Sequence, residues 1–140
     1  MTRKLKLALL IVAVMSAASA SAADKSSLAG YWYGIGEPGD PNIFYIDAFR
    51  ADGTYNAEYR KCEKGKVVYQ QTQSGTWTVK DDVLSMVADH IDGKPGRFDH
   101  SYTLESVGER EIRARLHDLD FLFVETRIPA FQFPPCYLGS

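Results

Sequence analysis

SGTWTVKDDVLSM, residues 74–86, alternates strictly on both sides of a pair of acidic residues. Successive side chains of a strand point to opposite faces, so strict alternation marks a strand with one buried side. If Lys80 and Val83 close a two-residue loop of Asp81 and Asp82, then Val79 lies opposite Leu84, Trp77 opposite Met86 and Gly75 opposite Ala88. All six share one face. Thr76 and Thr78 point the other way, as residues meeting water on a half-buried sheet should. The stretch is a β-hairpin with a single apolar side.

The same face extends toward the N-terminus. Odd positions from Val67 run through Tyr69, Gln71 and Gln73 to Gly75 and Trp77. A three-residue loop at Glu63-Lys64-Gly65 pairs Tyr59 with Tyr69, Ala57 with Gln71 and Tyr55 with Gln73. A second loop, Ala51-Asp52-Gly53, joins strands at 43–50 and 54–62 and pairs Phe49 with Tyr55, Asp47 with Ala57 and Tyr45 with Tyr59. A two-residue loop at Asp52-Gly53 would instead pair Arg50 with Tyr55 and Phe44 with Lys61, mixing charge into the aromatic face. Loops chosen separately thus agree on one face. Further upstream, a polar segment at 24–27 leads into a first strand at 28–33. Residues 34–41, rich in Gly and Pro, are expected to form a loop and not a strand interior.

Toward the C-terminus a fifth strand runs from Val83 to about His90, followed by a loop at 92–96. Phe98, His100, Tyr102 and Leu104 alternate in a sixth, and Ile112, Ala114 and Leu116 in a seventh. A turn at 117–120 leads to an eighth at 121–128. Its facing stays open: a two-residue turn directs Phe121, Phe123, Glu125 and Arg127 inward, a three-residue turn Leu122, Val124 and Thr126. No segment has sustained helical periodicity. Eight short strands joined by tight turns predict an all-β, eight-stranded antiparallel up-and-down barrel, whose closure removes exposed edges.

Residues 1–22 read as a secretory signal peptide: a basic start at Arg3, Lys4 and Lys6, an apolar run at 7–15, and a small-residue cleavage site at Ala20-Ser21-Ala22. The apolar run is too short for a spanning helix. Residues 23–140 form a single domain ending in a Pro-rich tail, 129–140. Without residues 1–22 the chain has 13 basic residues against 18 acidic ones, a net charge of −5. That balance argues against a nucleic-acid partner, which needs clustered Lys and Arg. The one basic cluster, Arg110, Arg113 and Arg115, is interleaved with Glu109 and Glu111 and reads as a solvated strand face. Export to a periplasmic or extracellular space, together with two cysteines, predicts a disulfide between Cys62 and Cys136 that pins the tail to the barrel.

Gly30-Tyr31-Trp32 on the first strand, Phe49-Arg50-Ala51-Asp52-Gly53-Thr54-Tyr55, and Gly75-Thr76-Trp77 followed by Asp82-Val83-Leu84 resemble the lipocalin-like small barrels of exported bacterial proteins. The resemblance spans most of residues 23–140. It implies that Trp32 is packed beneath by an Arg from the last strand, a place that Arg127 fills. Two departures stand out: the segment where lipocalins carry a lid, residues 34–41, is short, and a Pro-rich tail replaces the helix that follows the barrel.

On these registers the inner face carries Tyr45, Asp47, Tyr55, Tyr59, Tyr69, Gln71, Gln73, Trp77 and His90, aromatic walls with a few directional polar groups. That is the composition of a pocket for a small apolar or amphipathic molecule. It is also compatible with a filled barrel whose partner is a protein, because eight strands can enclose either. Small exported barrels of this kind also resemble bacterial inhibitors of secreted metalloproteases, which insert a flexible N-terminus, here residues 23–27. His90 and His100 lie beside Asp89, Asp92 and Asp99, but no i, i+2 or i, i+4 ligand pairing supports a metal site. No nucleophile elbow occurs and no cofactor motif is present, so the chain is read as a binding protein rather than an enzyme. A weaker alternative, an enzyme hosted in the barrel mouth, would depend on His90 or His100.

Overall fold

In the computed structural model, which describes residues 23–137, Asp81 and Asp82 both take left-handed backbone conformations, φ 51° and 59°. This is the two-residue turn whose twist matches the strands it joins. It sets Lys80 opposite Val83, Val79 opposite Leu84, Trp77 opposite Met86 and Gly75 opposite Ala88, as the alternation predicts. Around this hairpin the chain forms β1 (Gly30–Glu37), β2 (Asp40–Phe49), β3 (Thr54–Glu63), β4 (Lys66–Lys80), β5 (Val83–Ile91), β6 (Lys94–Val107), β7 (Glu111–Leu116) and β8 (Leu122–Ile128). Each strand pairs with the next, and β1 pairs with β8 over Tyr31 to Gly34, closing the barrel. The expected signal peptide, residues 1–22, lies outside the described residues.

The β2–β3 register is the expected one, with Phe49 opposite Tyr55, Asp47 opposite Ala57 and Tyr45 opposite Tyr59. Four expectations are corrected. Residues 34–41 are not a loop: β1 continues to Glu37, and only Pro38 and Gly39 separate it from β2. A Cβ at Gly34 would collide with the Tyr45 ring, so this glycine marks close approach inside a strand, not a turn. Second, Lys64 and Gly65, at φ 52° and 76°, form a two-residue turn, and β3 meets β4 through a bulge beside Cys62. Tyr59 therefore lies opposite Gln71, Ala57 opposite Gln73 and Lys61 opposite Tyr69; the face is preserved but Tyr69 moves outward to the rim. Third, the loop at 92–96 shrinks to Asp92-Gly93, with β6 beginning at Lys94. Fourth, a bulge at Asp89 reverses the facing of the end of β5, so His90 pairs with Ser74 and Ile91 takes the place opposite Gln73.

One end of the barrel is sealed. The segment expected as polar coil and the start of a strand is instead a single helical turn, α1 (Lys25–Leu28), capped by Asp24, whose carboxylate accepts from Ser27 N at 2.9 Å while Ser27 Oγ lies 3.3 Å from Asp24 N. Leu28 is fully buried beneath Trp32, whose Nε1 donates to Leu28 O at 2.7 Å. Arg127 lies opposite Trp32 in the closing pair and stacks on its ring at 4.1 Å. Its guanidinium donates to the carbonyl oxygens of Ala29, Ser27 and Glu109, at 2.8, 2.8 and 2.7 Å. Gly30, at φ 134°, leaves the space that this guanidinium fills. Trp77 completes the floor, donating from Nε1 toward Arg50 O and Thr54 O. Phe49, Tyr55, Leu84, Met86, Leu104 and Ile112 pack above it.

A second, smaller apolar layer lies outside the barrel. Ile46 and Ala48 point away from the interior yet are buried, because β2 reads as a nearly unbroken apolar run, IFYIDAF, and is covered on both faces. The Pro-rich tail is the cover: Phe131 packs edge-on against Tyr31, Phe133 lies under Arg60, and Cys136 is bonded to Cys62 with Cα atoms 5.7 Å apart. The outward Arg113 and Arg115 pair with Glu111, Glu105 and Asp120, the solvated face expected of them. No helix among the described residues is long and apolar enough to cross a membrane.

Arg127→Met should cost roughly 2 kcal/mol, because two part-buried carbonyls and one exposed carbonyl lose their charged donor, and it should lower the urea midpoint without changing the slope. Arg127→Lys should recover less than half, since an ammonium cannot reach three carbonyls and stack at once. Replacing Cys62 and Cys136 by Ser opens a link across 74 residues and should cost about 4 kcal/mol by chain entropy. Limited proteolysis should then cleave within residues 129–136, a segment that resists in the bonded protein.

Candidate functional site

The other half of the barrel is not filled. Above the packed cluster lies a cavity of about 450 Å³, within the range of small-molecule sites. One small inward residue, Ala114 on β7, borders it, whereas Gly34 on β1 is covered by the Tyr45 ring and Ala57 on β3 belongs to the packed cluster. Tyr45, Tyr59, Tyr102 and Phe123 form its wall, with ring centroids 6.0 Å apart for Tyr45 and Tyr59, 5.8 Å for Tyr45 and Phe123, and 5.6 Å for Tyr102 and Phe123. Phe98, half exposed, stands with Leu119 at the mouth, and Phe98 leans on His100 at 4.2 Å.

The polar lining is acidic. Glu37, Asp47 and Glu125 border the cavity with Gln71, Gln73 and His100, and among the described residues no Lys or Arg does. Asp47 is 5% exposed, Glu125 7% and Gln73 8%. Among the described residues, no group is hydrogen-bonded to Asp47 Oδ1, Glu125 Oε2, Gln73 Oε1 or the hydroxyls of Tyr45 and Tyr55. Buried polar atoms are ordinarily paired, and these five are concentrated in one barrel. Gln73 does donate to Gln71 Oε1, at 3.1 Å.

Burial, aided by the charge of Glu37, pushes the Asp47 carboxyl up to about 7. Burial, and then the neighbouring Asp47, pushes Glu125 well above the usual carboxylate range. Glu37 is raised more modestly, by burial and by Asp40. Burial also raises the Tyr45, Tyr55, Tyr59 and Tyr102 hydroxyls, which therefore stay protonated, and lowers His100, which is neutral at neutral pH. The cavity is thus a low-dielectric space with several acceptors, no fixed cation and two carboxyls that resist ionisation.

Of the residues expected on the inner face, Tyr45, Asp47, Tyr59, Gln71 and Gln73 line the cavity together. Tyr55 and Trp77 point inward but belong to the packed cluster beneath it. Tyr69 stands half exposed at the rim, moved there by the bulge beside Cys62. His90 is outside the barrel, bonded through Nδ1 to Asp89 at 2.8 Å with half its side chain exposed, because the bulge at Asp89 turned it over. Glu37 and Tyr102 were not among the expected site residues, and Phe123 and Glu125 stood in only one of the two facings left open for the last strand. Phe121, Phe123, Glu125 and Arg127 prove to be the inward set of the last segment, and the Trp32–Arg127 pairing alone implied it. Among the described residues, no three of His, Cys, Asp and Glu converge closely enough to hold a metal ion.

Compared with known proteins, the chain matches no family model, no curated protein and no solved structure.

A carboxyl raised by burial contributes stability that is fully present below its unfolded value, near pH 4, and is lost as pH rises through its folded value. For Asp47 that window closes at about pH 7. Asp47→Asn should therefore become more stable relative to the parent as pH rises from 5 to 8, read as the difference between their urea midpoints. A difference that stays flat would mean that Asp47 ionises as freely in the folded chain as in the unfolded one.

Proposed function

We propose that this chain is an exported, lipocalin-like binding protein that holds one small, partly apolar molecule inside the barrel. The observation that carries the reading is the coincidence of an unfilled half-barrel with unpaired buried polar atoms on its wall. A barrel that served only as a scaffold would be filled by side chains, as the Trp32 and Trp77 end is. Here the aromatic wall supplies apolar contact and Asp47, Gln73, Glu125 and Tyr45 supply direction. The Cys62–Cys136 disulfide suits an oxidising compartment, periplasmic or extracellular, and the barrel delivers its cargo there without covalent chemistry of its own.

The competing reading, inhibition of a secreted metalloprotease by a free N-terminal segment, is less well served. Residues 23–27 were expected to be free. Instead Ala23 N donates to Asp82 at 3.0 Å, and Asp24 to Ser27 form the cap of α1 against the barrel floor. A segment held there has to be released before it can enter another protein's cleft.

Native mass spectrometry of the protein purified from its own exported compartment, before and after mild denaturation, tests the proposal. A bound mass lost on denaturation is the expected result; a bare mass under both conditions favours a protein partner instead. Tyr59→Phe combined with Gln73→Leu should reduce retention at least tenfold while leaving the near-ultraviolet circular dichroism unchanged.

A further inference from the structure

The unpaired atoms of the cavity are unequal in kind. Gln73 Oε1 accepts only, the tyrosine hydroxyls both donate and accept, and Asp47 Oδ1 and Glu125 Oε2 belong to carboxyls that accept alone once the proton is lost. The strand registers place them on the inner face of the barrel. Glu125 lies opposite Gly34, and Gly34 opposite Tyr45; Asp47 is two residues along the same face from Tyr45, and Gln73 lies beyond Ala57 from Asp47. Gly34 makes room for the Tyr45 ring that lies across it, and the buried Ala57 adds little bulk between Asp47 and Gln73. What complements such a set is a group with several N–H donors and a positive charge.

Resting on the ligand-binding reading above and narrowing it, we infer that the cavity receives an organic ammonium ion with an apolar body. The ammonium sits among Asp47, Glu125 and Gln73, and the body lies along Tyr45, Tyr102 and Phe123. The walls suit a cation for a second reason, since tyrosine ring faces attract one within about 6 Å. An anion would meet three acidic side chains and, among the described residues, no Lys or Arg. A bare metal ion is disfavoured, because among the described residues no ligand set converges on one. A primary or secondary ammonium satisfies up to three acceptors by hydrogen bonds at longer range than metal coordination allows.

Charge balance follows. One ammonium neutralises one carboxylate of the Asp47–Glu125 pair, and the other keeps its proton. Binding at mildly acidic pH therefore expels one proton from the pair to solvent, and affinity rises with pH until the pair already carries its single charge. The other titratable groups facing the pair are Glu37 from β1, Tyr45 from β2, Tyr55 and Tyr59 from β3, and His100 and Tyr102 from β6. His100 is neutral across the upper part of that range and the tyrosines are protonated throughout it, so the carboxyls govern the response.

The test uses three probes of matched shape on the residue 23–140 protein after mild denaturation and refolding to remove any cargo: 4-phenylbutylamine, 4-phenylbutanol and 5-phenylpentanoate, titrated by calorimetry at pH 5 and pH 8. The expected result is that the amine binds at least tenfold tighter than the alcohol at pH 8, that its affinity falls about tenfold at pH 5, and that the carboxylate binds weakest. Asp47→Asn with Glu125→Gln should shrink the amine's preference over the alcohol to less than threefold. If amine and alcohol bind alike, the cation inference fails and the binding reading stands. If none of the three binds and the native spectrum is bare, both fail. The comparison of probes on the unaltered chain decides the matter even if the double variant does not fold.

Discussion

Arg127 ties together parts of the chain that are about a hundred residues apart, and its position explains how this barrel closes. A sheet of eight sequential strands gains nothing from closure unless its last strand reaches its first in one register. Here the stacking of the guanidinium on Trp32 selects that register, and its three hydrogen bonds hold the start of β1, the end of α1 and the β6–β7 loop to the same point. A planar ion with five N–H donors can do both at once, and no neutral side chain can. Gly30 is the counterpart in the backbone, since any Cβ there would occupy the guanidinium's place.

From that lock the barrel divides into two ends with different physics. At the sealed end Trp32, Trp77, Phe49 and Leu28 fill the space, and the polar edges of both indoles are satisfied by main-chain carbonyls. At the open end Tyr45, Tyr59, Tyr102 and Phe123 stand around the wall, and volume is left over between them. The stability of the closed end, with the outer layer under the Pro-rich tail and its disulfide, supports an interior that is not optimised for packing.

Holding Asp47 and Glu125 in that interior opposes folding, because their charged forms lose water and gain no protein partner. Two well-packed apolar residues in their place would be expected to make a more stable barrel. The rigid strands on which they stand give them fixed positions relative to the tyrosine rings. That combination of cost and fixed geometry is characteristic of residues whose partner comes from outside the chain.

Much of the fold was legible in the chain alone, and the reason is local. The 74–86 hairpin and the 43–62 hairpin are specified by alternation and turn chemistry within about twenty residues, and both registers were readable to the pair. The tail's attachment followed from two cysteines in an exported chain, and the meeting of Trp32 with Arg127 from the resemblance to lipocalin-like barrels. What escaped depends on contacts distant in sequence. The bulges beside Cys62 and at Asp89 each insert one residue where neighbouring strands and the barrel's curvature demand it, and one residue is enough to move Tyr69 to the rim and turn His90 outward. Glycine carries the same ambiguity: Gly34 looks like a turn in sequence and becomes a strand position only because the Tyr45 ring lies across it. The sequence by itself determined the all-β class, the strand order and five of the cavity's lining residues, since period-two patterning needs no partner to be read. Only the tertiary structure decided that the barrel is hollow at one end and that Glu125 completes an acidic wall with Asp47, because volume and desolvation belong to the closed barrel, not to any one strand.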